Sequence, residues 1–335
     1  MDRDNSVLIF VELGTDENIL PVSLECVTAG RKLAEALGCG IDGLVMGSSV
    51  GEAARELSHF GLDRVYAVDH PLLDMYQPEM SCAAFLQACE VVKPKAILMG
   101  ETLTSVDLAP RVAFALNTGL ITDCVGFEME EGDIHFVKPV YSSNVMAAYA
   151  LTTEPYLVTM RSRVEDPAER RDEAGAEVAG LEVELDASTL ETVVIERTLE
   201  EEEGPKLASS DIIVSGGRGV GGAEGFDQLA ELAALLNGAV GASRPPVDLG
   251  WAPPKAQVGQ TGEKVGPSVY IAVGISGATQ HIAGMSASRT IVAINKDSKA
   301  NIFKVADYGV VGKHEEVLPA FQEAMKEVLG QGGVE

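Results

Sequence analysis

Positive charge is scarce in this chain: 25 Lys and Arg stand against 51 Asp and Glu, a formal net charge of −26 over 335 residues. A field of that sign repels phosphate backbones and anionic bilayers, so neither nucleic acid nor direct membrane insertion is expected. The acidic excess serves solubility, with a docking surface for basic partners as the alternative. Cysteine is scarce too. Cys26, Cys39, Cys82, Cys89 and Cys124 include no C-x-x-C pair, and an odd number makes no disulfide framework, which suits a reducing compartment. No run reaches the ~18 apolar residues of a membrane span. The opening MDRDNSVLIFVEL is acidic and runs straight into a strand, unlike a secretory signal or an Arg-rich transit peptide. Together these absences make the cytoplasm the expected location. A Ser-His-Asp triad, a zinc cluster and a Walker loop are missing as well. Chemistry is therefore expected to belong to a bound cofactor that the protein tunes.

What is present is ordinary globular material, 46% hydrophobic and 23% charged. The length suits two domains of ~100–200 residues each. Apolar runs at Val7–Leu13, Ile41–Met46, Arg64–Val68 and Ala96–Gly100 alternate with helical periodicity at Leu24–Leu37, Gly51–Ser58, Ser81–Val91 and Val106–Leu116. This βαβ rhythm predicts a parallel sheet covered by helices. Between 121 and 164 the pattern shifts to Ile134–Val140, Met146–Thr152 and Tyr156–Met160, strands joined by turns, which predicts some antiparallel pairing. Residues 165–204 are charged and carry breakers, so they read as loop or linker, with Val193–Arg197 as one further strand. A second β-α alternation follows, with strands at Ile212–Ser215, Ala239–Gly241, Val269–Val273, Thr290–Asn295 and Tyr308–Val311, and helices at Phe226–Leu236 and Glu315–Leu329. The expected class is α/β: a Rossmann-like N-terminal βαβ domain with some antiparallel strands (1–195), a linker (196–208) and a C-terminal doubly wound parallel-sheet domain (209–335).

The chemistry gathers in glycine-bearing turns of the second half. Gly217 and Arg218 in SGGRG follow a strand and suit a pyrophosphate, because glycine lets the backbone approach and guanidinium matches the oxyanion. Ser243 and Arg244 stand before Pro245-Pro246, which stiffen the turn and aim the cation. Val258, Gly259, Gln260 and Thr261 offer an amide, a hydroxyl and open backbone to a heteroaromatic edge. Ser276, Gly277, Ala278, Thr279, Gln280 and His281 lead from a strand into a helix, where phosphate contacts are natural. Asn295 and Asp297 close a further strand. Each loop alone also reads as a surface turn, and a lone histidine as structural. Ligands of an open parallel sheet bind beyond the carboxyl ends of its strands, and these loops all stand there.

As an ordered set, SGGRG, GASRPPVDLGW, VGQTG, YIAVGISGATQHIAGM, IVAINKD and VADYGVVG closely resemble the alpha subunit of electron transfer flavoprotein. The resemblance is dense over residues 211–312. It is looser in the first half, at GETLTSVDLAPRVAFALNTGLITDCV and PVYSSNVMAAYAL. It implies a heterodimer with a beta subunit, FAD held mainly by the C-terminal domain, and electron shuttling between dehydrogenases and an acceptor. By the same resemblance Arg218 and Ser276–Gln280 meet the pyrophosphate and ribityl chain, and Ser243 touches the cofactor. Arg244 lies near the isoalloxazine, with Gln260 and Thr261 at its polar edge. His281 bonds the C2 carbonyl side, and Asn295 and Asp297 lie towards the adenosine. Lys313-His314 depart from the family, which continues YGVVG with an acidic and an apolar residue.

Two other readings stay open. One is the alpha subunit of an electron-bifurcating, NADH-using flavoprotein, which DLGWAPP with Trp251 resembles. The other is an NAD-dependent small-molecule oxidoreductase, for which GGRGVGG is a near match to the dinucleotide fingerprint and an acidic residue ~20 positions on is required.

Overall fold

The computed structural model describes residues 5–141, 145–198 and 204–331. The chain divides into two compact units, Met1–Val140 with Asn144–Thr198, and Leu199–Glu335 with Tyr141–Ser143.

In the first unit the strands are β1 (Val7–Val11), β2 (Ile41–Gly47), β3 (Arg64–Asp69), β4 (Ala96–Gly100), β5 (Leu120–Cys124), β6 (Gly126–Glu130), β7 (Asp133–Val140), β8 (Val145–Ala150), β9 (Tyr156–Met160) and β10 (Glu177–Gly180). The helices are α1 (Pro21–Leu37), α2 (Gly51–Leu57), α3 (Pro78–Val92) and α4 (Leu103–Leu116). Seven strands form one parallel sheet in the order β10-β3-β2-β1-β4-β9-β5. The apolar run of β1 is the sequence of a strand covered on both faces. Val7, Ile9 and Val11 join the core beneath α1 and α2, while Leu8 and Phe10 join the core beneath α3 and α4. Each such buried side chain stabilises the fold by roughly 1.5–3 kcal/mol. The expected antiparallel pairing occurs in a separate three-stranded sheet, β6-β7-β8.

Two expectations for residues 165–204 fail. Glu177–Gly180 is a strand rather than loop, parallel to β3 at the sheet edge, with Glu177 Oε2 3.1 Å from the Arg64 guanidinium. Val193–Arg197 is not a strand: no sheet receives it, and Ile195 is 97% exposed.

The second unit contains β11 (Ile212–Gly216), α5 (Ala223–Leu235), β12 (Ala239–Ala242), α6 (Arg244–Asp248), β13 (Val269–Val273), α7 (Thr279–Met285), β14 (Thr290–Asn295), β15 (Tyr308–Val311) and α8 (His314–Gln331). The strands form a parallel sheet in the order β12-β11-β13-β14-β15. Val214, Ile271 and Val273 pack with α5 and α8 residues on one face, and Ile213, Tyr270 and Ala272 pack with Met285 of α7 on the other. The chain winds one way from β11 to β12 and the other way from β13 onward. The switch point thus lies between β11 and β13, where an open α/β sheet leaves a crevice.

Candidate functional site

A cleft of about 690 Å³ opens at the carboxyl ends of β11, β12, β13 and β14. That is within the ~300–1,000 Å³ usual for ligand sites. Its walls carry the cations Arg218, Arg244 and Lys296 against one carboxylate, Asp297. In a chain of net charge −26 this local reversal of sign favours an anionic ligand.

The backbone comes close at the switch point because side chains are missing there. Gly219 N donates to Gly274 O at 3.0 Å, and Gly217 N donates to Val273 O at 2.8 Å. A Cβ on Gly217 would stand 2.2 Å from Gly274 O. Gly274 has φ +63°, and a Cβ there would meet Gly219 C at 2.7 Å. Beyond it, the backbone N–H groups of Ser276, Gly277 and Ala278 have no protein acceptor among the described residues. Free donors in a row, in one cleft with Arg218, which has no carboxylate partner among the described residues, are suited to phosphate oxygens.

The other walls are built on this frame. Ser243 N donates to Gly216 O at 2.9 Å, placing Ser243 and Arg244 at the start of α6, where Pro245 and Pro246 preset the helix. The Ser243 hydroxyl does not cap α6. The Arg244 guanidinium is exposed and reaches Asp248 at 3.3 Å, one helical turn away. The Gln257–Gly262 loop is brought in by Val258 N donating to Ala242 O at 2.8 Å. Gln257 Nε2 donates to Thr261 Oγ1 at 3.1 Å. Asn295 bridges loops, donating from Nδ2 to Ile275 O at 2.8 Å and accepting from Asp297 N at 3.0 Å.

Thirteen of the sixteen residues expected from sequence line this cleft: Arg218, Ser243, Arg244, Val258, Gly259, Gln260, Thr261, Ser276, Ala278, Gln280, His281, Asn295 and Asp297. Gly217, Gly277 and Thr279 do not. Gly217 is buried behind the lining, and Gly277 (φ +79°) lets Ile302 N approach to where its Cβ would be 2.2 Å away. Thr279 turns its hydroxyl to Gln280 Oε1 at 3.3 Å. The expectation missed Gln257, Ile275, Lys296 and Ala300 among others. Only Lys296 had a readable signal, standing between Asn295 and Asp297. Lys313 and His314 line a smaller adjoining pocket of about 120 Å³, shared with Gly219, Gly274, Asn295 and Lys296.

His281 reaches the cleft from a buried position on α7. It is 5% exposed, with Nδ1 2.9 Å from Val258 O and Nε2 3.0 Å from Tyr270 Oη. A carbonyl only accepts, so Nδ1 carries the proton and Nε2 takes the tyrosine O–H. Burial lowers its pKa to about 4, against the smaller opposing effect of the Val258 bond, so the ring is neutral near pH 7. Both nitrogens are engaged within the chain.

The dinucleotide-dehydrogenase reading loses its main requirement. An acid reading a ribose belongs at the end of the second strand, and β12 ends in Ala242-Ser243-Arg244. The described residues contain no helix long and apolar enough to cross a membrane, and no group of three or more His, Cys, Asp or Glu able to hold a metal ion.

Comparison with known proteins bears on the whole chain. Residues 7–186 match the electron transfer flavoprotein domain, and residues 206–286 match the electron transfer flavoprotein FAD-binding domain. Electron transfer flavoprotein subunit alpha of Thermoanaerobacterium thermosaccharolyticum is 41% identical over 98% of this chain and 100% of its own length. The protein of the same description from Bacillus subtilis is 38% identical over 93% of this chain and 95% of its own length. The lactate dehydrogenase (NAD(+),ferredoxin) subunit LctC of Acetobacterium woodii is 36% identical over 90% of this chain and 72% of its own length. With both domains in order and this identity along nearly its full length, the chain belongs to the electron transfer flavoprotein alpha-subunit family.

Proposed function

We propose that this chain is the FAD-binding alpha subunit of a heterodimeric electron transfer flavoprotein, carrying electrons from flavin dehydrogenases of the acyl-CoA type to an acceptor in the cytoplasm. The observation that carries the reading is the cationic, glycine-walled cleft at the β11/β13 switch point. It suits FAD in size, in charge and in its row of free N–H groups. FAD, when bound, supplies one- and two-electron redox chemistry. The chain's part is to bind and orient it. Arg218 and the backbone of Ser276–Ala278 hold the pyrophosphate. Ser243, Gln260 and Thr261 offer hydrogen bonds along the ring and ribityl chain. Arg244 places a permanent positive charge beside the ring, favouring the reduced, more negative cofactor. Asn295 and Asp297 support the adenosine end, Lys296 stands between them, and Lys313 takes the place where the family has an acidic residue.

Its relatives are named as subunits, which supports a partner, and the resemblance points to the beta subunit. The test is co-expression with that subunit, followed by gel filtration and a visible spectrum. A heterodimer with flavin absorbance is expected. A folded complex that neither carries flavin nor takes up added FAD would overturn the assignment. The relative named for both NAD(+) and ferredoxin favours a second reading, an electron-bifurcating, NADH-using assembly. Flavin quantification decides: one FAD per heterodimer supports the simple carrier, and two with reduction by NADH support bifurcation.

A further inference from the structure

Residues 191–198 are the stretch of the first unit that the unit itself does not use. Thr192-Val193-Val194-Ile195 are consecutive β-branched residues, a run that suits a strand better than any other element. Yet the run joins no sheet, and no backbone group of residues 191–198 is hydrogen-bonded to another described residue. Val193 is 69% exposed and Ile195 97%. In a strand, alternate residues share a face, so these two would form one apolar side. The chain just before is tied down. Leu181, Val183, Leu185 and Leu190 pack on the core beneath α3 and α4. Gln87 of α3 bonds both the N–H and the C=O of Glu184, each at 2.9 Å. The strand-forming run thus starts from a fixed root. Its flanks are acidic: Glu191 precedes it, Glu196 follows, and the sequence continues into Glu200–Glu203 with Arg197 as the only cation between.

We propose that residues 192–196 are a docking strand, which adds to an exposed, lysine- or arginine-flanked sheet edge of the partner subunit. An open edge presents a row of unpaired N–H and C=O groups and is commonly guarded by lysine. The run supplies the complement of both: unpaired backbone for the ladder and glutamates for the cations. Strand addition takes its affinity from the main-chain bonds and its specificity from alternate side chains, here Val193 and Ile195. A second copy of this chain is a poor occupant, because the same acidic flank and the net charge of −26 would be brought against themselves. The identity of the occupant rests on the heterodimer reading above, whereas the unpaired state of the run in the chain alone does not.

Hydrogen exchange on the full chain, alone and co-expressed with the beta subunit, is the first arm. The amides of 192–196 are expected to exchange at near-intrinsic rates in the chain alone and at least about tenfold more slowly in the heterodimer. Proline is the second arm. Adjacent residues of a strand point their N–H groups to opposite edges, so only one of Val193 and Val194 donates to the partner. Val193→Pro and Val194→Pro are therefore expected to differ, each read against alanine at the same position. The one that removes a ladder bond should weaken the heterodimer about a hundredfold, and the other should not. Glu191→Lys/Glu196→Lys should weaken it about tenfold at low salt and less at high salt. Neither proline disturbs a bond within the described residues, so the first unit should still fold. Slow exchange of 192–196 in the chain alone would overturn the proposal. So would unchanged exchange in a heterodimer that does form, equal effects of the two prolines, or a charge reversal without effect. If wild type forms no heterodimer at all, the partner reading falls and this inference with it.

Discussion

The two parallel sheets treat the same topological feature in opposite ways. In the first unit the winding reverses between β1 and β4, and polar side chains at the two strand ends pair with one another there. Glu12, one residue past β1 and 8% exposed, accepts from Thr102 Oγ1 at 2.6 Å. Further along the same sheet, at the ends of β4, β9 and β5, Glu101 accepts from the Thr159 hydroxyl, and Asp123 holds Arg161 through two bonds at 2.8 and 2.7 Å. In the second unit the equivalent position past β11 is Gly217, and β13 runs into Gly274. At the first unit's switch point a carboxylate and a threonine hydroxyl satisfy each other. Glycines leave the other as a cleft with free donors. A doubly wound sheet supplies a crevice, but the residues at its strand ends decide whether a ligand enters.

The sharpest way to break this comparison is to fill the open crevice. Gly274→Val puts a side chain at φ +63°, against Gly219 C and Val220 N at under 3 Å. Left-handed backbone costs a non-glycine residue about 1–2 kcal/mol before any clash. We expect FAD retention to be lost, at least about a hundredfold in affinity or ~2.7 kcal/mol. The check is flavin absorbance after desalting, with hydrogen exchange of β1 and β4 unchanged.

Acid should separate the units next. In the second unit, the pKa of His281 falls from 6.5 to about 4 on burial. Between those values the unfolded chain binds the extra proton. Stability is therefore full above pH 6.5 and falls as pH drops towards 4, by about 3 kcal/mol. In the first unit, burial raises Glu12 and Glu25 above 4.5, the largest effect at each, against opposing hydrogen bonds from Thr102 and Arg163 N. There the folded chain binds the extra proton, so stability falls as pH rises through the raised values and recovers on acidification. Segment-resolved hydrogen exchange at pH 7.5 and 5.5, corrected for intrinsic rates, should show β13 and α7 loosening while β1 and α1 hold or tighten. Equal loosening of both units would contradict the assignment, and Glu12→Gln should flatten part of the first unit's response.

Arg218→Ala tests the charge of the cleft. It should weaken FAD about tenfold, the ~1.5–3 kcal/mol range of a charge-assisted hydrogen bond reduced by its exposed position. The loss should shrink as salt is raised in the titration. A salt-independent loss would point to a packing role instead.

The smallest effect is expected at Arg244. Asp248 already shares its charge, and its side chain is 68% exposed. Arg244→Ala should lower the reduction potential of bound FAD by about 30 mV, half of the 59 mV per tenfold of a one-electron couple. Arg244→Lys should recover part of it. An unchanged potential with FAD still bound would place the guanidinium away from the ring.

Much of this was legible in the residues. The strands at Val269–Val273, Thr290–Asn295 and Tyr308–Val311 match their sequence runs end to end, because uninterrupted apolar residues bounded by glycine, asparagine or serine have few other solutions. β10 was not legible. Glu177–Gly180 is a four-residue edge strand with Val178 41% exposed, and its identity depends on the edge of β3, more than a hundred residues earlier. In the cleft, motif spacing located the loops but did not sort lining residues such as Ser276 from supports such as Gly277, a difference made by Ile302 approaching from behind.

The sequence by itself determined the α/β class, the glycine turns at the strand ends and the charge that each turn carries, since these depend on local backbone freedom and on residue chemistry. Only the tertiary structure decided which switch point stays open and which protonation state His281 adopts. Both depend on atoms far apart in the chain: Thr102 beneath Glu12, Tyr270 and the Val258 carbonyl on either side of one imidazole. A hydrogen bond forms only within a few tenths of an ångström of its proper length, and no local pattern encodes that distance.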